Sequence, residues 1–192
     1  MSSKKRLIIV GIISLSICFM GCGRKSVDNA EAYGNIIAGL EDEEAYAFLV
    51  MNTDHHVLVT SDLVYDTGTE KQAAIECDVY YYSSGGAENQ GSIAGGGTAY
   101  PLTFSESAIY TASNHSVEKY AVSDKDGLLH LECGIYENFD EAGNASYTSV
   151  KGEEETVSTE EEYLKLMNEY AESQIIHFSY GASGSLNEIM RK

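Results

Sequence analysis

The chain has 192 residues, with 12 Lys plus Arg against 30 Asp plus Glu and a formal net charge of −18. Nucleic acid is excluded as a partner, because its binding rests on neutralising phosphates with basic side chains. Attraction to an anionic lipid surface is excluded on the same ground, while a hydrophobic content of 43% is ample for a packed core.

The first residues carry the strongest signal. Lys4, Lys5 and Arg6 precede an apolar run from Leu7 to Met20, the order of a secretory signal, whose apolar part enters the membrane while its positive end stays inside. The run falls short of the roughly 20 apolar residues a comfortable span needs. Phe19-Met20-Gly21-Cys22 follows and resembles the bacterial lipobox, with Phe19 where an aliphatic residue is usual. That resemblance implies diacylation of Cys22, cleavage before it, and a protein held at the outer face of the bacterial membrane through its lipid. Two acyl chains anchor stably where one is marginal. Residues 1–21 hold three basic and no acidic groups, so the chain from Cys22 onward has a net charge of −21.

Residues 22–44 read as a lipidated tether and a short helix. Gly23 to Val27 is small and polar. Asp28 and Glu31 suit a helix start, where carboxylates satisfy free N–H groups. Ala32, Tyr33, Ile36, Ile37 and Leu40 then share one helical face, and Gly39 with the acidic run Glu41 to Glu44 ends it.

Residues 45–192 read as a β-rich domain with a C-terminal helix. Ala73, Ile75, Cys77, Val79 and Tyr81 alternate with Ala74, Glu76, Asp78, Tyr80 and Tyr82, as in a half-buried antiparallel strand. Val57–Tyr65, Ala108–Ala112, Ser116–Val122, Leu128–Tyr136 and Ala145–Val150 read similarly. Turn-formers separate them at Ser83–Gly86, Asn114-His115, Asp124–Gly127 and Asp140–Asn144. Glu153 to Glu155 read as a solvated loop. Thr159 and Glu162 make a capping box, after which Tyr163, Leu166, Met167 and Tyr170 line an apolar helical face, with Glu169 on the opposite one. Gln174 to Tyr180 reads as one last strand. The expected fold is mainly β: an antiparallel β-meander, as a curled sheet, a sandwich or a propeller-like form, with a helix at each end.

Tyr46 to Val59 resembles a degenerate FG-GAP-type unit, in which an aspartate-rich calcium loop joins two strands. Asn52 and Asp54 stand at ligand-like positions, whereas Val50 and His55 replace the expected aspartate and glycine. Too few oxygens remain for calcium, which takes six to eight. Including Thr98-Ala-Tyr-Pro101 and Tyr110-Thr-Ala-Ser113, the chain resembles uncharacterised lipoproteins of Gram-positive gut-type bacteria, which implies location and no particular activity.

Other motifs carry less. Ser116-Val-Glu-Lys119 has the Ser-x-x-Lys spacing of penicillin-recognising enzymes, but the segment alternates as a strand and the companion motifs are absent. Gly181-Ala-Ser-Gly-Ser185 lacks the second glycine of a nucleophile elbow, and Gly95-Gly96-Gly97-Thr98 lacks the lysine and helix of a phosphate loop. His55 and His56 are adjacent, and no histidine or cysteine spacing suits a metal. Neither metal nor cofactor is expected. Cys77 and Cys133 both fall on apolar strand faces; in an oxidising compartment they form either a disulfide or buried free thiols. Tyrosine is abundant, with 14 residues and no tryptophan. Tyr80 and Tyr82, sharing a face with Glu76 and Asp78, form a tentative binding face for a protein or glycan; the competing reading packs them beneath a terminal helix. The functional expectation is a membrane-anchored, extracytoplasmic module of a binding or envelope kind rather than an enzyme. The alternative is an envelope hydrolase acting on glycan or peptide, which requires convergent carboxylates or a histidine in a cleft.

Overall fold

The computed structural model describes residues 28–69, 71–83, 85–123 and 127–181. The signal segment, Cys22, the tether Gly23–Val27 and Ala182–Ser185 lie outside the described residues. Among the described residues the order is α1 (Asn29–Ala38), β1 (Ala45–Leu49), β2 (Val57–Ser61), β3 (Val64–Asp66), β4 (Gln72–Ala74), β5 (Glu76–Ser83) and β6 (Gly86–Ala94). There follow β7 (Thr103–Phe104), β8 (Ile109–Ala112), β9 (Ser116–Val122), β10 (Leu129–Phe139), β11 (Ala145–Lys151), β12 (Glu154–Ser158), α2 (Glu160–Glu172), β13 (Gln174–Ile175) and β14 (Ser179–Tyr180). The protein is mainly β, with all strand pairs antiparallel. Among the described residues no helix is long and apolar enough to cross a membrane.

A five-stranded sheet runs β14-β1-β2-β5-β6, a seven-stranded sheet β12-β11-β10-β9-β8-β7-β13, and β3 pairs with β4 alone. The larger sheet contains the expected meander, since β7 to β12 are neighbours in chain order. The two large sheets share one core. Ala47, Leu49, Val57, Val59, Val79 and Ile93 of the smaller meet Ile109 and Val122 of the larger, with Leu102, Ile176 and Phe178 between.

Each large sheet carries a helix on its other face. Asp28 caps α1, its Oδ1 accepting from Ala30 N–H at 2.8 Å. Tyr33 and Ile37 pack on Tyr46 and Leu58, flanked by Phe48, Tyr80 and Tyr82. α2 opens with the expected capping box: Thr159 Oγ1 accepts from Glu162 N–H at 3.2 Å, and Glu162 Oε2 accepts from Thr159 N–H at 3.1 Å. Its face docks Tyr163 and Leu166 against Tyr110, Val117 and Ile135, with Met167 and Tyr170 alongside. Glu169 departs from the expectation. It is half-buried, and its carboxylate lies 3.4 Å from Lys119 Nζ.

Several segments differ from the reading by pattern. Val57–Tyr65 divides into β2 and β3, and the strand through Ala73–Tyr82 breaks at Ile75. β6 and β12 are additional strands, so Glu154 and Glu155 stand on a sheet edge rather than in a loop. Gln174–Tyr180 is two short strands, one in each sheet: β13 pairs with β7 and β14 with β1. Glycine solves two local problems. Gly91, at φ +126°, sits beside the register shift between β5 and β6, a conformation costly for side-chain-bearing residues. At Gly96 the chain passes from the smaller sheet to the larger, donating its N–H to Ala112 O at 2.8 Å. A Cβ there would lie 2.3 Å from Ser113 Cβ.

Tyr33 ties α1 to β5. It is fully buried; its hydroxyl donates to His56 O at 2.5 Å and accepts from Tyr82 N–H at 3.0 Å. Burial pushes its pKa up from 10.0 to about 12, against the lowering effect of the Tyr82 N–H. The folded pKa exceeds the unfolded one, so the unfolded state sheds its proton first. The associated stability is complete below pH 10 and is lost as pH rises towards 12. Stability measured by denaturant should therefore fall across that window, less steeply in Tyr33→Phe. A parallel decline in the variant would mean that Tyr33 is not among the phenols responsible.

Candidate functional site

The residues singled out by sequence are not brought together. Cys77 is buried in the core between the sheets, while Cys133 faces α2 across the larger sheet. Both are free thiols, so no bridge joins them and Cys77 takes the buried-thiol form. Its pKa is pushed well up by burial first and then by the neighbouring Asp78 and Glu76. The tentative binding face is divided by α1. Tyr80 and Tyr82 pack under the helix, as the competing reading held, and the Tyr82 ring meets those of Tyr33 and His55 edge-on. Glu76 and Asp78 lie beyond the helix, and Asp78 accepts a hydrogen bond from the Ser92 hydroxyl. With Glu44 and Asp62 they line a concavity of about 330 Å³ to which no lysine or arginine contributes among the described residues.

Asn52 and Asp54 are exposed in the β1–β2 connection, which is tied down by Asn52 N–H donating to Glu106 O at 2.6 Å. Among the described residues no group of three or more His, Cys, Asp and Glu side chains could hold a metal ion. Ser116 and Lys119 separate as strand alternation requires. Ser116 lies beside Tyr136, on the face opposite α2, and Lys119 beside Cys133, on the α2 face.

One polar cluster on the face away from α2 is internally satisfied. Glu118 Oε2 accepts from Thr111 Oγ1 at 3.1 Å and Tyr120 OH at 2.6 Å, and its Oε1 accepts from Tyr136 OH at 2.5 Å. Burial, and then the Glu118 carboxylate, push both phenols well above the ordinary tyrosine value. These groups hold three strands in register, with their hydrogen-bonding capacity turned on one another.

The arrangement with binding capacity lies between α2 and the larger sheet. Tyr163 and Leu166 hold the helix down across β8–β11, leaving a groove of about 270 Å³ beside them. Sheet alternation aims Lys119, Cys133 and Ser149 at this face, and Lys165 reaches it from the helix. A register shift between Leu131 and Cys133 frees Glu132 to turn in. The groove adjoins a second depression of about 260 Å³, bounded by Lys151, Glu154, Thr156 and Glu162, with Ser149, Lys151 and Glu162 common to both.

Its charge sets it apart. Lys119, Lys151 and Lys165 line the groove, and Lys71 is the one other lysine or arginine among the described residues. Lys119 Nζ lies 3.3 Å from Glu132 Oε1 and 3.4 Å from Glu169 Oε2. Burial disfavours its ammonium, but Glu132, Tyr110 and Glu169 outweigh that and hold its pKa above the ordinary value. Glu162 is held below the usual carboxylate range, first by the Ser158 hydroxyl and then by the Thr159 N–H. The buried Ser149 hydroxyl has Cys133 Sγ, at 3.8 Å, as its one hydrogen-bond partner among the described residues. Sequence reading missed this site because its lysines come from two strands and the middle of a helix, separated along the chain. The available signal was the scarcity of basic residues in so acidic a protein.

Comparison with protein-family models, with curated proteins and with solved structures gives no match.

Proposed function

We propose that this chain is a lipid-anchored extracytoplasmic binding module, held at the outer face of the bacterial membrane through Cys22. The order of basic start, apolar run, Gly21 and Cys22 carries this reading. The position of α1 supports it: its cap, Asp28, follows Cys22 after only a short polar tether, so the domain would stand close to the lipid. The strong negative charge suits a soluble domain at a surface and leaves attachment to the acyl chains. Binding, rather than catalysis, is favoured by a groove whose carboxylates are engaged by a lysine or a helix cap. As to architecture, two sheets around one core favour the sandwich form of the meander over a single curled sheet or a propeller.

Cys22→Ala should abolish labelling by a radioactive fatty acid and move the protein from the membrane fraction to the soluble or secreted one. A variant still labelled and still sedimenting with membranes would rule out Cys22 as the attachment point.

A further inference from the structure

We propose that the groove between α2 and the larger sheet binds a ligand through a single carboxylate, with Lys151 and Lys165 as its cationic pair and the Ser149 hydroxyl as a donor from the floor. This deepens the binding-module reading and rests on it. A carboxylate approaching a chain with net charge −18 is repelled over most of the surface. In the groove three lysines stand among Glu132, Glu162 and Glu169, so the repulsion is locally cancelled.

Those three carboxylates are already committed. Glu132 and Glu169 hold Lys119, and Glu162 closes the helix cap. Lys151 and Lys165 are exposed; Lys151 is attracted to Glu162, but neither lysine forms an ion pair among the described residues, which leaves their ammonium groups to an incoming anion. A buried hydroxyl held only by a long contact to sulfur adds an underused donor. Buried polar groups ordinarily find stronger partners, and a carboxylate oxygen would supply one.

The same geometry argues against a phosphate. Phosphate is bound most selectively by arginine forks or free helix N–H groups, with lysine acting as a point charge beside them. No arginine occurs among the described residues, and Thr159 and Glu162 already engage the start of α2. A second negative charge would also face Glu154 and Glu162 across the adjoining depression. Size limits the ligand further: about 270 Å³ lies just below the usual range of small-molecule pockets. The groove therefore takes a small acid, or the carboxylate end of a chain that leaves along the second depression past Thr156.

The test titrates the full-length protein with N-acetyl-alanyl-alanine, its C-terminal amide, propionate and inorganic phosphate, followed by amide NMR and calorimetry. The free dipeptide acid should bind saturably and shift the amides of Ser149, Lys151 and Lys165, while its amide does not. Lys151→Gln combined with Lys165→Gln should weaken binding roughly tenfold or more, as loss of charge-assisted hydrogen bonds implies. Lys71→Gln should leave it unchanged. Because the groove lysines are exposed, the double variant should melt like the parent; Lys165→Gln alone, weakening binding severalfold, is the second check. Propionate binding as tightly as the dipeptide would identify a free small acid as the ligand, and dipeptide binding without propionate binding a chain end. Saturation by neither, equal binding of the amide, an unaffected double variant or preference for phosphate would each overturn the proposal. Failure here with Cys22 still labelled removes the groove and leaves the anchor, whereas failed labelling with intact binding does the reverse.

Discussion

Leu166→Ala is expected to lower unfolding free energy by about 2 to 5 kcal/mol, the range for truncating a buried leucine. Leu166 is 5% exposed and sits with Tyr163 among Val117, Ile135 and Tyr110. Nearby groups cannot all close over the space, because β9 and β10 are held by the ladder between them and α2 is tethered by Tyr170 OH donating to Pro101 O at 2.9 Å. Leu164 lies on the outer side of the same helix and is 52% exposed. Leu164→Ala should therefore change stability by no more than about 0.5 kcal/mol. Glu169, the outer-face residue expected from periodicity, is a poorer control because it pairs with Lys119. Equal and small losses for Leu164 and Leu166 in chemical denaturation would mean that α2 is not docked, and the groove beside it would not exist as described.

Phe178→Ala should cost about 3 to 5 kcal/mol, the usual range for a buried phenylalanine. Phe178 and Ile176 are buried between the sheets in the segment that joins their edges. Ile176 N–H donates to Leu102 O at 3.0 Å, Phe178 N–H donates to Gln72 O at 2.9 Å, and Gly181 N–H reaches Glu44 O at 3.3 Å. Each short strand alone contributes little. The two aromatic and aliphatic anchors keep the backbone bonds dry and so keep them formed. Ile175 is 39% exposed, and its replacement by alanine should cost far less. A loss below about 1 kcal/mol for Phe178→Ala would mean the closing segment contributes little to holding the sheets together, since buried sites of this kind normally exceed that value.

The parts of the fold that could be read along the chain are those governed by near neighbours. The capping box of Thr159 and Glu162 is a contact between residues three apart, and the apolar faces of both helices follow from the helical repeat. Alternation in β8 and β9 and the Asp140–Asn144 turn are likewise local; Asp140 Oδ1 accepts from Ala142 and Asn144 N–H at 2.9 and 2.8 Å. A mainly β, meandering chain with a helix near each end therefore belongs to the sequence itself. Tertiary structure decided what depends on a partner far away. β6, with its glycines and polar residues, and the mostly polar β12 become strands through ladders to β5 and β11, where cross-strand pairing outweighs weak propensity. The face shared by Glu76, Asp78, Tyr80 and Tyr82 is uniform by alternation, but α1 covers only its tyrosine end. Lys119, Lys151 and Lys165 look like scattered charges until β9, β11 and α2 are stacked, and only that packing places all three along one groove.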